Sequence, residues 1–353
     1  MLLCSKAREH KLAHEGEFVM AWEATLLKRT RLGVYRNCLD LAEAYADFAP
    51  LWERLCLITY ASLGPTIGRW FGGDTRTAWQ SADRIIADLL AVTRLTPREI
   101  ARLLRSYIMV KLKAEEHLPL DQAREKIYDQ RFYPIVTHFT YALQPSAAAR
   151  LKFVRESVKA MGEEHLTFAD LGCGAGMMLC EVLSMKPGWT GEGLDISPAA
   201  TAYARSLAEH KGVAGRASFR TGDIARLPFA SESLDLLIAS EVVEHLPDPE
   251  AVLRELARVL RPGGRLIMTV PLASHTPAHA LTLERPEDLR AFCESAGLVV
   301  QSLRSKWHFG YADDSTHLFA LLVKPAWAEA RHSPQSSSAA SKGMVSSWWP
   351  VME

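Results

Sequence analysis

The stretch TFADLGCGAGMMLCEVL, residues 167–183, places three glycines at alternate positions directly after an acidic residue that ends an apolar run. TFADL is typical of a short strand and MMLCEVLSM of the helix after it, so Gly172, Gly174 and Gly176 form the turn between them. Glycine permits positive φ and removes the Cβ, and a helix N-terminus presents free N–H groups. The sequence therefore predicts a turn at which a ligand lies against the main chain.

The residues around this turn differ from a dinucleotide-binding fingerprint. The pattern G-x-G-x-x-G needs a glycine at the position that Met177 occupies. The carboxylate of Asp170 would also repel a pyrophosphate. We therefore expect a ligand that offers a cation or hydrogen-bond donors near the turn.

Strand-like and helical segments alternate from residue 166 to residue 324. The strand-like runs are TFADL, WTGEGLDI, ASFRTGD, LDLLIAS, GRLIMTV, LVVQSLRS and HLFALLVK. Alternation of this kind needs crossover connections, which favours a mainly parallel sheet with helices on both faces. Open α/β sheets bind ligands at the carboxyl ends of their strands, which is where the glycine turn falls.

Three further acidic residues fall where later strands are expected to end. Asp195 follows the second strand, at the distance past the glycines where a carboxylate can accept hydrogen bonds from both hydroxyls of a ribose. Asp223, with the apolar Ile224, is suited to bind the exocyclic amine and the flat face of a purine. Glu241 follows the fourth strand. Single carboxylates often serve as caps or turn residues, but this series indicates a ligand with a ribose, a purine and a positive or protic group.

Length and composition favour a two-lobed protein with a small or neutral partner. The chain has 353 residues, 48% of them hydrophobic, and Lys plus Arg equals Asp plus Glu at 41 each. This balance argues against a nucleic acid or an anionic membrane as the main partner. The six cysteines form no C-x-x-C pair and no Cys/His cluster, so we expect no disulfide framework and no metal. No window is long and apolar enough for a signal sequence or a membrane helix, and we expect a cytoplasmic protein.

We divide the chain into three parts. Residues 1–144 repeat apolar residues three and four apart, which predicts an all-helical N-terminal lobe. Residues 145–325 form the α/β domain, and residues 326–353 have the Ser-rich composition of a tail. LTPREIARLLRSY, residues 95–107, has the spacing of a helix–turn–helix. Because the charge is neutral and a dense basic face is lacking, we expect this lobe to form a homodimer or cap the substrate rather than bind DNA.

Five motifs together resemble those of the class I S-adenosylmethionine-dependent methyltransferases, particularly the small-molecule branch that includes ubiquinone-biosynthesis methyltransferases. They are DLGCGAG (170–176), GLDIS (193–197), GDIARLPF (222–229), EVVEHLPDP (241–249) and LRPGGRLIMTVP (260–271), in the order and spacing of that family. RPEDLRAFCESAGL also resembles the helix before the family's sixth strand. The resemblance covers about residues 152–324 and implies a Rossmann-like sheet of seven mostly parallel strands, the last antiparallel. WHFGYADDST, before the last strand, is too short for a crossover helix and agrees with this.

The resemblance implies S-adenosyl-L-methionine as cofactor and methyl transfer to an O, N or C atom of a small molecule in specialised or cofactor metabolism. Asp170 and the glycine turn would hold the methionine part, Asp195 the ribose, and Asp223 with Ile224 the adenine. The segment around Glu241 would border the ribose and methionine. The predicted cofactor-binding set is Asp170, Leu171, Gly172, Cys173, Gly174, Gly176, Asp195, Ile196, Gly222, Asp223, Ile224, Glu241 and Val242.

Three histidines are candidates for a catalytic base. A sulfonium methyl group is already activated, so the protein must mainly align the acceptor and exclude water. A base is needed for an aliphatic hydroxyl or a protonated amine, and is optional for a phenol or a carboxylate. The candidates are His245 after the fourth strand, and His275 and His279 after the fifth. His245 has a second interpretation, because this motif also recurs as scaffold in the family.

The aromatic segment YDQRFYPIVTHFTY, residues 128–141, has two interpretations. Its rings could pack the N-terminal lobe on the sheet as part of the core. Alternatively, Tyr128, Phe132 and Tyr133 could line the acceptor pocket as a lid, with Arg131 pairing with an acidic acceptor.

Two other functions stay open on the sequence. One is a protein that binds the cofactor without methyl transfer, either as a regulator or for a reaction such as cyclisation. The complete set of motif residues, Asp170, Gly172, Gly174, Asp195 and Asp223, argues against it. The other is methylation of a macromolecule. The sequence SEVVEHL stands where such enzymes often carry Asn/Asp-Pro-Pro-Tyr, and this argues against it.

Overall fold

The computed structural model describes residues 84–85, 87–95, 99, 122, 131–143, 145–274, 279–308 and 315–326. Most of the predicted helical lobe and nearly all of the predicted tail lie outside these residues, so the three-part division stays a prediction. Residues 84–85 and 87–93 are helical. Within the described part of the chain, no helix has the length and apolarity that a membrane span requires.

The α/β part contains all seven strands that the sequence predicts. In chain order the elements are α1 (Tyr133–Leu143), α2 (Pro145–Lys159), β1 (Thr167–Leu171), α3 (Met177–Met185), β2 (Thr190–Asp195), α4 (Pro198–His210), β3 (Ala217–Thr221), β4 (Leu234–Ser240), a 3-10 turn (Val243–His245), α5 (Pro249–Val259), β5 (Leu260–Leu272), α6 (Pro286–Ser295), β6 (Val299–His308) and β7 (Ser315–Val323). The runs TFADL and MMLCEVLSM coincide with β1 and α3 residue for residue.

The strands form one sheet in the order β3-β2-β1-β4-β5-β7-β6. Strands β1 to β5 pair in parallel with their neighbours. β7 runs antiparallel between β5 and β6. The predicted Rossmann-like sheet with an antiparallel last strand is therefore confirmed. The strand order reverses at β1, and open α/β sheets bind ligands at such a switch point.

Both faces of the sheet are buried under helices. On β4, Leu236 and Ile238 pack with Phe168 in one hydrophobic cluster, whereas Leu237 packs with Ala169 in a second cluster on the other face. Successive strand residues point to opposite faces, so this alternation gives the near-continuous apolar run that a parallel sheet needs. Each fully buried large side chain contributes about 1.5–3 kcal/mol. The strand ends that carry the site are thereby held rigidly.

Buried His138 holds α1 against the sheet domain. Its Nε2 lies 2.9 Å from the carbonyl oxygen of Ile85, and its Nδ1 lies 2.7 Å from the hydroxyl of Tyr203 on α4. Because the carbonyl can only accept, Nε2 carries the proton and Nδ1 accepts from the tyrosine. Burial lowers the pKa of His138 to about 4, which keeps the ring neutral. This fixed contact sets where the first turn of α1 lies.

Candidate functional site

A cleft with about 500 Å³ of empty space opens at the carboxyl ends of the parallel strands. Its lining residues are Tyr133, Gly172, Asp195, Ile196, Gly222, Asp223, Ile224, Glu241, Val242, His245 and Leu246. The residues come from the ends of β1, β2, β3 and β4 together with the start of α1.

Eight of the predicted cofactor-binding residues line this cleft. The others, Asp170, Leu171, Cys173, Gly174 and Gly176, are buried in or next to the glycine turn. Leu246 lines the cleft but was not predicted, although it belongs to the motif EVVEHL that supplied its neighbours. The sequence offers no ground for selecting Leu246, because an apolar side chain next to a proposed base has no polar or ionisable group that would mark it as a binding residue.

The glycine turn adopts the positive φ angles that the sequence predicts. The φ values are 68° at Gly172, 52° at Gly174 and 76° at Gly176. A Cβ at Gly172 would lie 2.6 Å from the Val242 side chain, and one at Gly176 would lie 2.7 Å from the Cβ of Ala204. A Cβ at Gly174 would meet nothing closer than 3.8 Å. Close packing therefore requires glycine at the first and third positions, whereas Gly174 is required for its backbone angle.

Asp195 joins the end of β2 to the glycine turn. Its Oδ2 accepts a hydrogen bond from the N–H of Gly174 at 2.8 Å, and its Oδ1 accepts one from the N–H of Ser197 at 2.9 Å. Burial raises the pKa of this carboxyl, and the two main-chain hydrogen bonds oppose that rise. Each carboxylate oxygen has a second lone pair, so Asp195 can also accept hydrogen bonds from a ligand in the cleft.

Asp170 carries an unsatisfied acceptor beside the turn. The side chain is 3% exposed, and it accepts a hydrogen bond from the main chain of Leu179 in the first turn of α3. Its Oδ2 has no hydrogen-bond partner among the described residues. Burial, with a smaller effect of the Asp195 charge, raises the pKa of Asp170 to about 7. A buried oxygen of this kind would be satisfied by a cationic donor from a ligand.

Part of the cleft wall offers an apolar surface. Ile196 is 48% exposed, an unusual exposure for a large apolar side chain that lines a cleft. Ile224 also lines the cleft and is buried. One carboxylate oxygen of the exposed Asp223 accepts from the N–H of Ala225 at 2.9 Å. A flat apolar ligand with a donor at its edge would cover Ile196 and reach Asp223.

Glu241 is fixed at the end of β4 by contacts from three other elements. Its Oε1 accepts from the hydroxyl of Thr269 on β5 at 3.1 Å. Its Oε2 lies 3.2 Å from Nε2 of His317 on β7 and 3.8 Å from Arg150 on α2. Burial by itself would raise the pKa of Glu241, but the charges of His317 and Arg150 and the hydrogen bonds lower it to about 2. The sequence motifs did not indicate Thr269, His317 or Arg150 as partners of Glu241.

The structure describes two of the three histidines that are candidates for a catalytic base, His245 and His279. His245 lines the cleft, and its ring centroid lies 4.8 Å from that of His279. His275 lies outside the described residues. Burial raises the pKa of Glu244, which is 1% exposed, well above its ordinary value. Side-chain atoms of Glu244, His245 and His279 that can coordinate a cation lie within 4.8 Å of one another. The sequence did not indicate this grouping, and the expected absence of a metal stays a prediction.

Residues of the aromatic segment lie in two kinds of surroundings, the wall of the cleft and the hydrophobic core. Tyr133 lines the cleft, as a lid residue would. Ile135 and Val136, in the next turn of the same helix, are buried in a cluster with Leu89. Phe132 is half-buried, Arg131 is exposed, and Tyr128 lies outside the described residues.

The sheet order and the site together define a class I methyltransferase fold. Residues 169–268 match the family described as "Methyltransferase domain". Methyltransferase GfsG of Streptomyces halstedii is 32% identical over 203 residues, which cover 52% of this chain and 72% of that protein. Norajmaline N-methyltransferase of Rauvolfia serpentina is 27% identical, with coverage of 47% and 59%. Ubiquinone biosynthesis O-methyltransferase of Coxiella burnetii is 27% identical, with coverage of 42% and 69%. The chain belongs to the S-adenosylmethionine-dependent methyltransferase family.

Proposed function

We propose that this protein transfers a methyl group from S-adenosyl-L-methionine to a small-molecule acceptor bound in the cleft described above. The observation that carries the proposal is the unsatisfied Oδ2 of Asp170, buried beside the glycine turn, together with the exposed Ile196 on the cleft wall. A ligand with both a cationic amino group and an apolar ring satisfies both.

Each part of the cofactor has a matching group on the protein. Asp195 accepts from the ribose hydroxyls through its second lone pairs. Ile196 and Ile224 flank the adenine ring, and Asp223 accepts from its exocyclic amine. Asp170 accepts from the ammonium group of the methionine part, which would hold the Asp170 carboxyl ionised.

Arg150 supplies the positive charge for the methionine carboxylate. Its side chain is 14% exposed, and its ion pair with Glu241 spans 3.8 Å, longer than a hydrogen bond. A guanidinium presents five N–H donors in a planar fork that matches a carboxylate. The sequence motifs did not indicate Arg150, because it lies before β1 and outside all five of them.

The acceptor side is formed by Tyr133, Glu241, His245 and Leu246. When bound, the cofactor supplies an activated methyl group on a sulfonium centre. The protein must then orient the acceptor and exclude water, and the start of α1 suits this because Tyr133 lies on the cleft wall. His245 is the group that can remove a proton from an acceptor hydroxyl or amine. The names of the relatives include both O- and N-methyltransferases, so either atom type fits.

Labelled cofactor tests the proposal directly. The full chain is incubated with cofactor that carries a deuterated methyl group and with separate small-molecule, protein and nucleic-acid fractions of a cell extract. We expect label in the small-molecule fraction and none with the Asp195→Ala variant. Label that appears only in a macromolecular fraction would contradict the small-molecule assignment.

We infer from the sequence that the protein is a cytoplasmic enzyme with a neutral chain. We also infer that it forms a homodimer through residues 1–144, because that region has amphipathic helical periodicity. Sedimentation of the full chain and of a chain lacking residues 1–83 tests the assembly. A full chain that sediments as a monomer contradicts the dimer.

A further inference from the structure

Glu241 adopts an unusual conformation for its residue type. Its φ is 55°, in the left-handed region that non-glycine residues rarely adopt. Its N–H donates to the carbonyl oxygen of Thr269 at 2.9 Å. The Thr269 hydroxyl bonds the Glu241 carboxylate, and the Ser240 hydroxyl lies 2.8 Å from the Thr269 hydroxyl. Strain that surrounding contacts maintain in this way is common at functional positions.

The carboxylate of Glu241 is a fixed negative charge on the cleft wall. His317, on β7, is buried and lies 3.2 Å from Oε2, so it holds the carboxylate from the side away from β4. Arg150 lies on the same oxygen at 3.8 Å. Burial raises the pKa of the neighbouring Glu244 well above its ordinary value, which favours the neutral form of that carboxyl. Glu241 is therefore an ionised acid on the wall of the cleft that Tyr133 and His245 also line.

We propose that Glu241, positioned by His317, is an electrostatic selector at the methyl-transfer end of the cleft. It favours an acceptor whose nucleophile arrives as an N–H or O–H group, because the carboxylate oxygens can accept a hydrogen bond from that group. The inference rests on the proposed function, since it takes the cofactor's adenosine to lie at the end of the cleft that contains Asp195. A neutral or cationic donor can bond the fixed carboxylate, whereas an acceptor without a donor hydrogen gains no such bond.

His317 acts on the ligand only through Glu241 and is therefore a positioning residue. Its ring nitrogen supplies a partner from a strand that is distant from β4 in sequence but adjacent to β5 in the sheet. Without the His317 ring, Glu241 loses one of the contacts that stabilise its strained conformation. The position of the Glu241 carboxylate would then be less fixed. A glutamine at position 317 can still donate a hydrogen bond to Oε2 without carrying a charge.

Two cofactor analogues of known charge test the proposal before any acceptor is identified. S-adenosylhomocysteine has a neutral sulfur at the reacting position, whereas sinefungin carries an amino group there that is cationic at neutral pH. The dissociation constant of each is measured by calorimetry in chelator-treated buffer for the wild type and its variants. The ratio of the two constants reports the electrostatic contribution at the reacting end, and a general loss of folding would change both constants alike.

We expect the wild type to prefer sinefungin and Glu241→Gln to reduce this preference about tenfold, the lower end for hydrogen bonds to a charged group. His317→Leu should reduce it about threefold, and His317→Gln should keep it within about twofold. Glu192→Gln is the matched control, because Glu192 pairs with Arg220 at 2.8 Å and does not line the cleft. If Glu241→Gln does not fold, His317→Leu carries the test.

The outcomes separate the two proposals. If both analogues bind and the ratio is the same in the wild type, Glu241→Gln and His317→Leu, the selector is wrong while the cofactor assignment stands. If neither analogue binds the wild type, both proposals fail. If His317→Gln and His317→Leu reduce the ratio equally, the hydrogen bond from position 317 does not position Glu241, and that part of the inference is overturned.

Discussion

The carboxylate of Asp195 accepts a hydrogen bond from the main-chain N–H of Gly174 at 2.8 Å, which ties the end of β2 to the turn that follows β1. The same carboxylate accepts from the N–H of Ser197, the residue whose side chain caps α4 by accepting from Ala200 at 3.2 Å. One buried acid therefore organises two segments of the cleft. Its substitution should disturb the cleft more than the loss of a single ligand contact.

Replacement of Asp195 by alanine should weaken the binding of S-adenosylhomocysteine about tenfold to a hundredfold, as expected for the loss of 1.5–3 kcal/mol from charged hydrogen bonds. The melting temperature should also fall, because the N–H groups of Gly174 and Ser197 lose their acceptor. Asp195→Asn retains one acceptor oxygen and should lie between the two proteins. Calorimetry and thermal unfolding measure both effects, and an unchanged dissociation constant in Asp195→Ala would remove the ribose assignment.

Substitution of Gly176 by alanine should cost more stability than the same change at Gly212. Both have positive φ, 76° and 69°, so both pay the left-handed cost of about 1–2 kcal/mol. A Cβ at Gly176 also lies 2.7 Å from the Cβ of Ala204, whereas a Cβ at Gly212 meets nothing within 4 Å. Overpacking of this kind adds about 1–3 kcal/mol. Urea unfolding of the two variants measures the difference, and equal losses would show that α3 and α4 can separate without cost.

Local patterns were sufficient to predict the elements that carry the site. β1 and α3 coincide with their predicted runs because their apolar residues and the glycines between them are contiguous in sequence. Asp195 and Glu241 were placed near each other because parallel strands end at one edge of the sheet. The identity of their partners could not be obtained in this way. Arg150 and His317 reach Glu241 through sheet order and helix packing, which no short window of sequence contains.

The boundaries of β5 show a second limit of the sequence analysis. The predicted run GRLIMTV, residues 264–270, omits residues 260–263, because Pro followed by two glycines is typical of a turn. In the structure β5 begins at Leu260, which pairs with Leu234, and the register shifts before Arg265 pairs with Leu236. A bulge accommodates the turn residues within the strand.

The backbone of Glu241 could not be predicted from local sequence either. Its positive φ follows from its tertiary contacts and not from the conformational preference of glutamate.

Asp170 should make a contribution to the stability of the ligand-free protein that decreases as pH rises from about 4 to about 7. The pKa of Asp170 is raised by burial from 3.8 to about 7 in the folded protein. Between these values this carboxyl binds more protons in the folded state than in the unfolded state, so its contribution to the free energy of unfolding falls with increasing pH. Asp170→Asn should remove this contribution and so change the slope of stability against pH in the positive direction. Glu244, whose pKa is also raised, contributes with the same sign, whereas His138, whose pKa burial lowers to about 4, contributes with the opposite sign. Urea unfolding at several pH values measures it, and identical slopes in both proteins would contradict a protonated Asp170.

Replacement of His245 by glutamine should lower the rate of methyl transfer while leaving cofactor affinity within about twofold. General-base catalysis contributes about a hundredfold to ten-thousandfold, so a large loss is expected if the acceptor needs proton removal. His279→Gln is the matched control, because its ring packs 4.8 Å from His245 but does not line the cleft. Single-turnover rates with the acceptor found by labelling give the comparison. Equal losses in the two variants would indicate that the histidine pair is structural.

Tyr133 and Val136 lie one turn apart on α1, and truncating each to alanine separates the lid interpretation from the core interpretation. Tyr133 lines the cleft, whereas Val136 is buried with Ile135 and Leu89. We expect Val136→Ala to lower the free energy of unfolding by about 1–3 kcal/mol, as loss of buried methyl groups does, with unchanged single-turnover rates in the folded fraction. Tyr133→Ala should show the reverse, a slower methyl transfer or weaker acceptor binding with a smaller change in stability.

The affinity of both variants for S-adenosylhomocysteine supplies the control, and we expect it to remain within about 0.5 kcal/mol of the wild type, the range usual for changes outside a site's principal contacts. Tyr133→Phe, which retains the ring and removes only the hydroxyl, distinguishes water exclusion by the ring from a hydrogen bond to the acceptor. A retained rate in Tyr133→Phe with a reduced rate in Tyr133→Ala would assign the effect to the ring. If Tyr133→Ala lowers stability as much as Val136→Ala and leaves the single-turnover rate unchanged, Tyr133 belongs to the core and the lid is wrong.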